Sequence, residues 1–252
     1  FYYVVTGKRF TNGYIKDERQ GNHLGSIDLG VEFKMSGLKF TFYRQSPYEV
    51  GGLAHLANLQ DGLNGLSIEN LRQDGGNVVW HRFLIEFLYT KNQAGKPWSP
   101  EYGSQYEPYY NHGQYLAGWS YDETGLGTPF ISTREYLRQE LPTHPENYFV
   151  NNRLTLLHLA GTGSIKGMNY LIKASLSQNF GTYHTSDEEQ STGITNPGSY
   201  GIFGKQNQLS VLFAFRRMIS QNISIGLRGA ADYGDLYYNS AGLLLGISYI
   251  FQ

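Results

Sequence analysis

The sequence predicts an all-β fold, an antiparallel transmembrane β-barrel of the outer-membrane type, and three observations predict it. Segments that alternate apolar and polar residues recur along most of the chain. Aromatic residues are abundant, with 21 Tyr and 14 Phe beside 31 Gly, while charged residues make up only 16% of 252 positions. No continuous apolar run reaches the about 20 residues that a membrane helix needs, and the mean hydropathy is -0.41. A barrel reconciles these facts, because only every second residue of its strands faces lipid, and Tyr and Phe populate its interfacial girdles. A soluble β-sandwich would share the alternation but seldom carries so many tyrosines.

The elements follow in order. From Ile27 the odd positions Ile27, Leu29, Val31, Phe33 and Met35 are apolar, and Asp28, Gly30, Glu32 and Lys34 lie between them. The phase restarts after Ser36-Gly37, with Leu38, Phe40 and Phe42 on one face and Lys39, Thr41 and Tyr43 on the other, which predicts a hairpin with a very short turn. Val78 to Thr90 alternates through Phe83, Ile85, Phe87 and Tyr89, with Arg82 and Glu86 opposite. Asn152 to Ala160 is mixed, through Leu154, Leu156, Leu157 and Leu159, and its facing stays open.

Four later strands are clearer. They carry Met168, Tyr170, Ile172, Ala174 and Leu176; Leu209, Val211, Phe213 and Phe215; Ile223, Ile225, Leu227, Ala231 and Tyr233; and Leu243, Leu245, Ile247, Tyr249 and Phe251. Their opposite faces hold Gly, Ala, Ser and charges of both signs, as a wet lumen would. The near-terminal Phe251 matches the usual aromatic ending of bacterial outer-membrane barrels. About eight to ten strands are expected in one domain spanning 1–252.

Three stretches break the period. Gly51 to Gly65 holds Leu53, Leu56 and Leu59 closed by Asp61-Gly62, and reads as a short helix-like loop folded into the lumen. The stretch from about 93 to 147 is a long loop rich in Tyr, Pro, Gly, His and Trp. Loops of that length inside a domain are functional or disordered, and its aromatic density argues against disorder. The stretch 181–204, with Asp187-Glu188-Glu189, reads as a further extracellular loop. The opening Phe1-Tyr2-Tyr3-Val4-Val5 reads as mid-strand with no signal peptide, so the chain is expected to be part of a larger barrel.

Composition also excludes classes of function. A net charge of -1 provides no global field for nucleic acid. Without cysteine there is no thiolate catalysis and no Cys-ligated zinc. The seven histidines, His23, His55, His81, His112, His144, His158 and His184, show no HxH or HExxH spacing. There is no GxSxG nucleophile elbow. Neither an enzyme, a metal nor a cofactor is expected.

Several short stretches stand in a telling order. Gly21-Asn22-His23-Leu24-Gly25-Ser26-Ile27-Asp28 is followed by Phe42-Tyr43-Arg44-Gln45 and Leu59-Gln60-Asp61-Gly62-Leu63-Asn64-Gly65. Then come Tyr109-Tyr110-Asn111-His112, Ala117-Gly118-Trp119-Ser120-Tyr121, Gly125-Leu126-Gly127-Thr128-Pro129-Phe130, Asn151-Asn152-Arg153 and Asn179-Phe180-Gly181-Thr182-Tyr183. In that order they resemble the capsule assembly family named for Wzi, from about Gly21 to the C-terminus. The resemblance implies a bacterial outer-membrane barrel larger than this chain, of which this would be the C-terminal part. It also implies a lectin role in holding capsular polysaccharide at the cell surface.

Sugar recognition needs flat aromatic faces and planar polar groups. Trp98, Tyr109, Tyr110, Asn111, Trp119 and Tyr121 in the long loop are the candidate carbohydrate-binding set, and a packed aromatic plug is the competing reading of the same residues. Arg44, Arg82, Glu86, Arg216, Arg228 and Asp232 are expected on the lumen side, as cross-strand ion pairs or as attractors of an acidic polymer. The expected partners are outer-membrane lipid, capsular or extracellular polysaccharide and other outer-membrane proteins. The expected function is non-catalytic binding, anchoring or assembly of surface polysaccharide. A passive or selective pore, or a structural subunit of a larger outer-membrane complex, are the alternatives.

Overall fold

The computed structural model describes residues 9–12, 15–19, 24–49, 56–72, 75–94, 107–113, 115–186 and 200–250. Trp98, Phe251, Gly21 to His23, Gly51 to His55 and Asp187 to Glu189 lie outside the described residues. A small hairpin of β1 (Arg9–Asn12) and β2 (Ile15–Arg19) comes first. The frame is a nine-stranded antiparallel sheet formed by β3 (Gly25–Met35), β4 (Leu38–Tyr48), β5 (Gly62–Asn70), β6 (Val78–Tyr89), β11 (Leu154–Ile165), β12 (Met168–Asn179), β13 (Gln206–Met218), β14 (Ile223–Gly234) and β15 (Ser240–Tyr249). Between β6 and β11 the chain makes four short strands, β7 (Ser120–Tyr121), β8 (Thr124–Gly125), β9 (Ser132–Thr133) and β10 (Phe149–Asn151). β7 pairs with β8, and β9 with β10.

The sheet is an open meander in the order β15-β14-β13-β12-β11-β6-β5-β4-β3, and it is not closed into a barrel. All-β, antiparallel architecture is as expected; among the described residues there is no α-helix. Two of the turns are two-residue connections with both residues at positive φ, Ser36-Gly37 (52° and 76°) and Lys166-Gly167 (50° and 77°). That geometry matches the right-handed twist of the strands it joins. The connections after β3, β5, β11 and β13 lie at one end of the sheet, the turn end; the five-residue connection 235–239 between β14 and β15 lies at the opposite end. The long excursions, after β4, β6 and β12, leave from the other, the loop end.

One reading is corrected. Gly51 to Gly65 is not helix-like where described: Leu56 has φ 57°, Leu56 to Gln60 form a turn, and β5 already begins at Gly62. The strand was hidden because glycine stands at two of its first four positions. The reason for Gly65 is spatial: a Cβ there would fall 2.1 Å from the Tyr43 ring, which lies over it from the paired position on β4. The same arrangement recurs at Tyr48 over Gly25, Tyr170 over Gly163 and Phe213 over Gly229, each pair directly opposed in the ladder. An aromatic ring covering a cross-strand glycine pins register, because a one-residue slip would drive the ring into a side chain.

The ladders give the sheet two different faces. One cross-strand row runs Phe33, Phe40, Ile68, Phe83, Gly161, Ile172, Phe213, Gly229 and Leu243, strand by strand from β3 to β15. A row of the other face runs Gly30, Tyr43, Gly65, Glu86, His158, Ser175, Ser210, Asp232 and Ser240. Apolar side chains are exposed across the first face; Val31, for example, is 65% exposed and Leu245 70%. The packed interior lies instead on the polar face at the loop end. There Leu88, Leu154 and Leu156 of the strands meet Tyr109, Tyr110, Ile131 and Phe149 from the long excursion. A second small core, Leu137, Val150, Phe203 and Leu236, lies in the same body of loops. The segment expected to be a loop at 93–147 is therefore, where described, a folded plug.

Candidate functional site

The plug is fastened by buried polar side chains. Asp61, fully buried, accepts the backbone N–H of Asn92 at 2.9 Å and of Gln93 at 2.6 Å, and the Tyr109 hydroxyl at 2.7 Å. Asn58 donates from its amide to Glu107 Oε2 at 2.9 Å, to the Tyr109 hydroxyl at 3.2 Å and to the Pro47 carbonyl at 2.8 Å. Thus three separate segments, Asn58–Asp61 after β4 and Asn92–Gln93 and Glu107–Tyr109 after β6, meet in one knot. Burial pushes the Asp61 carboxyl up to about 6, against the donors from Tyr109, Gln93 and Asn92 and the nearby Arg153, which all favour its charged form. Burial, and then the facing Asp61 charge, hold the Tyr109 hydroxyl well above its ordinary range.

Asparagines continue the fastening. Asn111 and Phe149 exchange two bonds, the Asn111 amide donating to the Phe149 carbonyl at 2.8 Å and accepting its N–H at 2.9 Å. Asn152 donates to the Tyr109 carbonyl at 3.0 Å, and Asn151 to Asn179 at 2.9 Å. Arg153 donates to the Lys91 carbonyl at 2.9 Å and lies 4.3 Å from the centre of the Tyr183 ring. Such side chains stand in for backbone partners where no ladder exists.

The structure sorts the sequence-predicted sugar set. Tyr109, Tyr110 and Asn111 are only 1%, 7% and 5% exposed and form the plug's interior. Trp119 is half-buried, packs against that core, and donates its backbone N–H to the Tyr110 carbonyl at 3.0 Å. Gly118 is required there, since a Cβ would fall 1.9 Å from the Tyr110 oxygen. Tyr121 is 77% exposed, and Trp98 lies outside the described residues. The set thus splits into a structural core and an exposed ring.

Five of the six expected lumen charges, Arg82, Glu86, Arg216, Arg228 and Asp232, stand on polar-face positions of the ladder. Arg82 pairs with Glu69 at 3.2 Å, and Glu69 with Lys39 at 2.8 Å. Glu86 accepts from the Tyr43 hydroxyl, and Asp232 from Ser210. Arg216 donates to Ser224 at 3.0 Å. Arg44 is the correction: it stands across from Leu29 and Asn64, in the phase of Phe42 and so on the apolar face's side. Its guanidinium is satisfied at the loop end by Asn64 at 2.8 Å and the Asp61 carbonyl at 3.0 Å.

Of the recesses that border the plug among the described residues, two are lined by its aromatic side chains. One, of about 550 Å³, lies between the plug and the strands, lined by Leu63, Glu86, Leu88, Tyr110, Phe130 and Leu156 among others. The other, of about 490 Å³, lies where the plug meets the loop-end tips of β14 and β15. Tyr136, Tyr237, Tyr238, Ser132, Thr133 and Asp232 line it, and sequence reading singled out only Asp232 of these. Isolated Tyr residues in an aperiodic segment give no signal until the fold brings them together.

Among the described residues no group of three or more His, Asp or Glu side chains is disposed to hold a metal ion. His144 and His184 stack at 4.2 Å between ring centres, and burial, then the neighbouring His144, pull the His184 pKa down. No helix of the described residues is long and apolar enough to cross a membrane, which says nothing of strands. Comparison with known families, proteins and solved structures returned no match. The likeness to the capsule assembly family therefore rests on the residues quoted above alone.

Proposed function

We propose that this chain forms part of a bacterial outer-membrane β-barrel whose plug binds surface polysaccharide and helps to anchor or assemble it, without catalysis. The observation that carries the membrane reading is the pair of ladder rows: exposed apolar side chains across one face, and a hydrogen-bonded polar row across the other. Strands of 9 to 13 residues match the span of a bilayer. Short turns at one end and long excursions at the other match the periplasmic and extracellular ends of such barrels. Because β3 and β15 run in the same direction, closure with antiparallel seams takes an odd number of further strands. Unpaired edges do not persist in lipid.

The polysaccharide part is supported by the family resemblance and by the tyrosine-lined recess at the loop end. A body of packed loops over the polar face favours binding over open conduction. The test uses the intact protein, purified in detergent and incubated with the cell's own surface polysaccharide. Co-sedimentation of the folded protein, lost on heat denaturation, is the expected result. No co-sedimentation, together with large, steady single-channel conductance in planar bilayers, would overturn it in favour of a pore. Stable protein partners with no glycan affinity would favour the structural subunit.

A further inference from the structure

We infer that the recess between Tyr136 and Tyr238 is the saccharide subsite of the plug, and that it takes a neutral or amino sugar and selects against a uronate; this rests on the polysaccharide reading above. The recess holds about 490 Å³, room for one or two sugar rings, at the loop end where a polymer outside the cell would arrive. Two half-exposed tyrosine rings, Tyr136 and Tyr238, border it and offer faces for sugar C–H groups.

Both rings are held in place before any ligand arrives. The Tyr136 hydroxyl lies 3.1 Å from Thr124 Oγ1, and the Tyr238 hydroxyl donates to Glu140 Oε2 at 3.2 Å. Between them Tyr237 is partly buried, with its hydroxyl 2.7 Å from Ser132 Oγ. Binding to such fixed groups loses little side-chain freedom.

The charge around the recess supplies the selectivity. Among the described residues its lining includes the Asp232 carboxylate, itself held by Ser210, and no Lys, Arg or His. Arg138, behind Tyr238, is engaged: it donates to the Tyr237 carbonyl at 3.0 Å and the Gly234 carbonyl at 2.8 Å, and lies 3.6 Å from Glu140. A uronate carboxylate would meet Asp232 with no cation to offset it, whereas hydroxyl or ammonium donors find an acceptor. The lumen charges would thus not be the attractor of an acidic polymer at this point.

The test titrates the detergent-purified protein with oligosaccharides released from the cell's own surface polysaccharide, in native form and after reduction of their carboxylates to alcohols. The reduced form is expected to bind more tightly than the native, and equal affinity of the two forms overturns the selectivity. Tyr136→Ala and Tyr238→Ala should each weaken binding about ten-fold, with heat-modifiable gel mobility showing that the variants remain folded. Tighter binding of the native, acidic form overturns the inference, and so does unchanged affinity in both folded tyrosine variants. Either result would leave the polysaccharide reading standing. Failure of the folded parent to bind either form would sink both.

Discussion

The sheet and the plug are built on opposite principles. In the sheet the inner strands are paired on both sides through the ladders, so side chains are free to serve the surroundings, apolar toward one face and polar toward the other. In the plug the ladders shrink to two- and three-residue pairs, and side chains take over the fastening: Asp61, Asn58, Asn111, Asn151 and Asn152 bind backbone or one another. A sheet of this kind tolerates change wherever the face's character is kept. A plug of this kind fails one hydrogen bond at a time, and can open while the sheet stays intact.

The largest expected effect breaks the sheet's division of faces. Ile172 is exposed on the apolar face, and its neighbour Lys173 already stands on the polar one. Ile172→Lys should lower folding stability in lipid vesicles by about 2–4 kcal/mol, whereas Lys173→Ala should change it by well under about 1 kcal/mol. Urea titration of vesicle-folded protein checks both. Equal costs at the two positions would mean that neither face meets lipid.

Next comes the plug's knot. Asp61→Ala removes the acceptor of two backbone N–H groups and a buried hydroxyl, and should cost about 2–3 kcal/mol. Hydrogen exchange should show faster opening of the plug around Tyr109 and Phe149, with the ladders of β11 to β14 unchanged. Loss of protection in both regions together would show that plug and sheet unfold as one unit.

The same contrast explains what was legible in the sequence. Period two exposed seven of the nine large strands, because a strand with one apolar face must alternate, and β11 was read only as a mixed run with its facing open. β5 was missed, since Gly62, Gly65 and the polar Asn64 conceal a strand that the facing Tyr43 ring completes. The plug was legible only as an aromatic-rich interruption. Its interior could not be told from its surface, because hydrogen bonds such as Asn111 to Phe149 follow no spacing. So Tyr109 and Tyr121, alike in sequence, turn out buried and exposed.

A smaller effect sharpens the register argument. Gly229 and Gly161 stand in the same apolar row, yet a Cβ at Gly229 would fall 2.4 Å from the Phe213 ring while one at Gly161 meets nothing within 4 Å. Gly229→Val should cost about 1–2 kcal/mol, as the ring is pushed aside. Gly161→Val should be close to neutral. If both are neutral in the same urea titration, ring-over-glycine pairing does not pin the register.

The smallest effect belongs to pH, and it separates plug from sheet without altering either. The Asp61 carboxyl moves from an ordinary 3.8 to about 6 in the folded protein, chiefly through burial. A raised pKa means that the folded plug holds this proton more tightly than the unfolded chain does. Its contribution is fully present below about pH 4 and is lost as pH rises through about 6. Between pH 7 and pH 5 Asp61 should therefore firm the plug by about 1 kcal/mol. His184 and His112 work in the opposite sense, because burial lowers both and their protonation on acidification favours the open plug. The parent's response alone is a sum of these, so the informative quantity is the difference between parent and Asp61→Asn. The asparagine retains an acceptor for the Gln93 or Asn92 N–H but cannot titrate. Hydrogen exchange at Tyr109 should slow from pH 7 to pH 5 by about five- to ten-fold more in the parent than in the variant, after correction for intrinsic exchange rates. Identical pH responses would place the Asp61 proton equilibrium outside this range, and would leave hydrogen bonding rather than burial as the force that sets it.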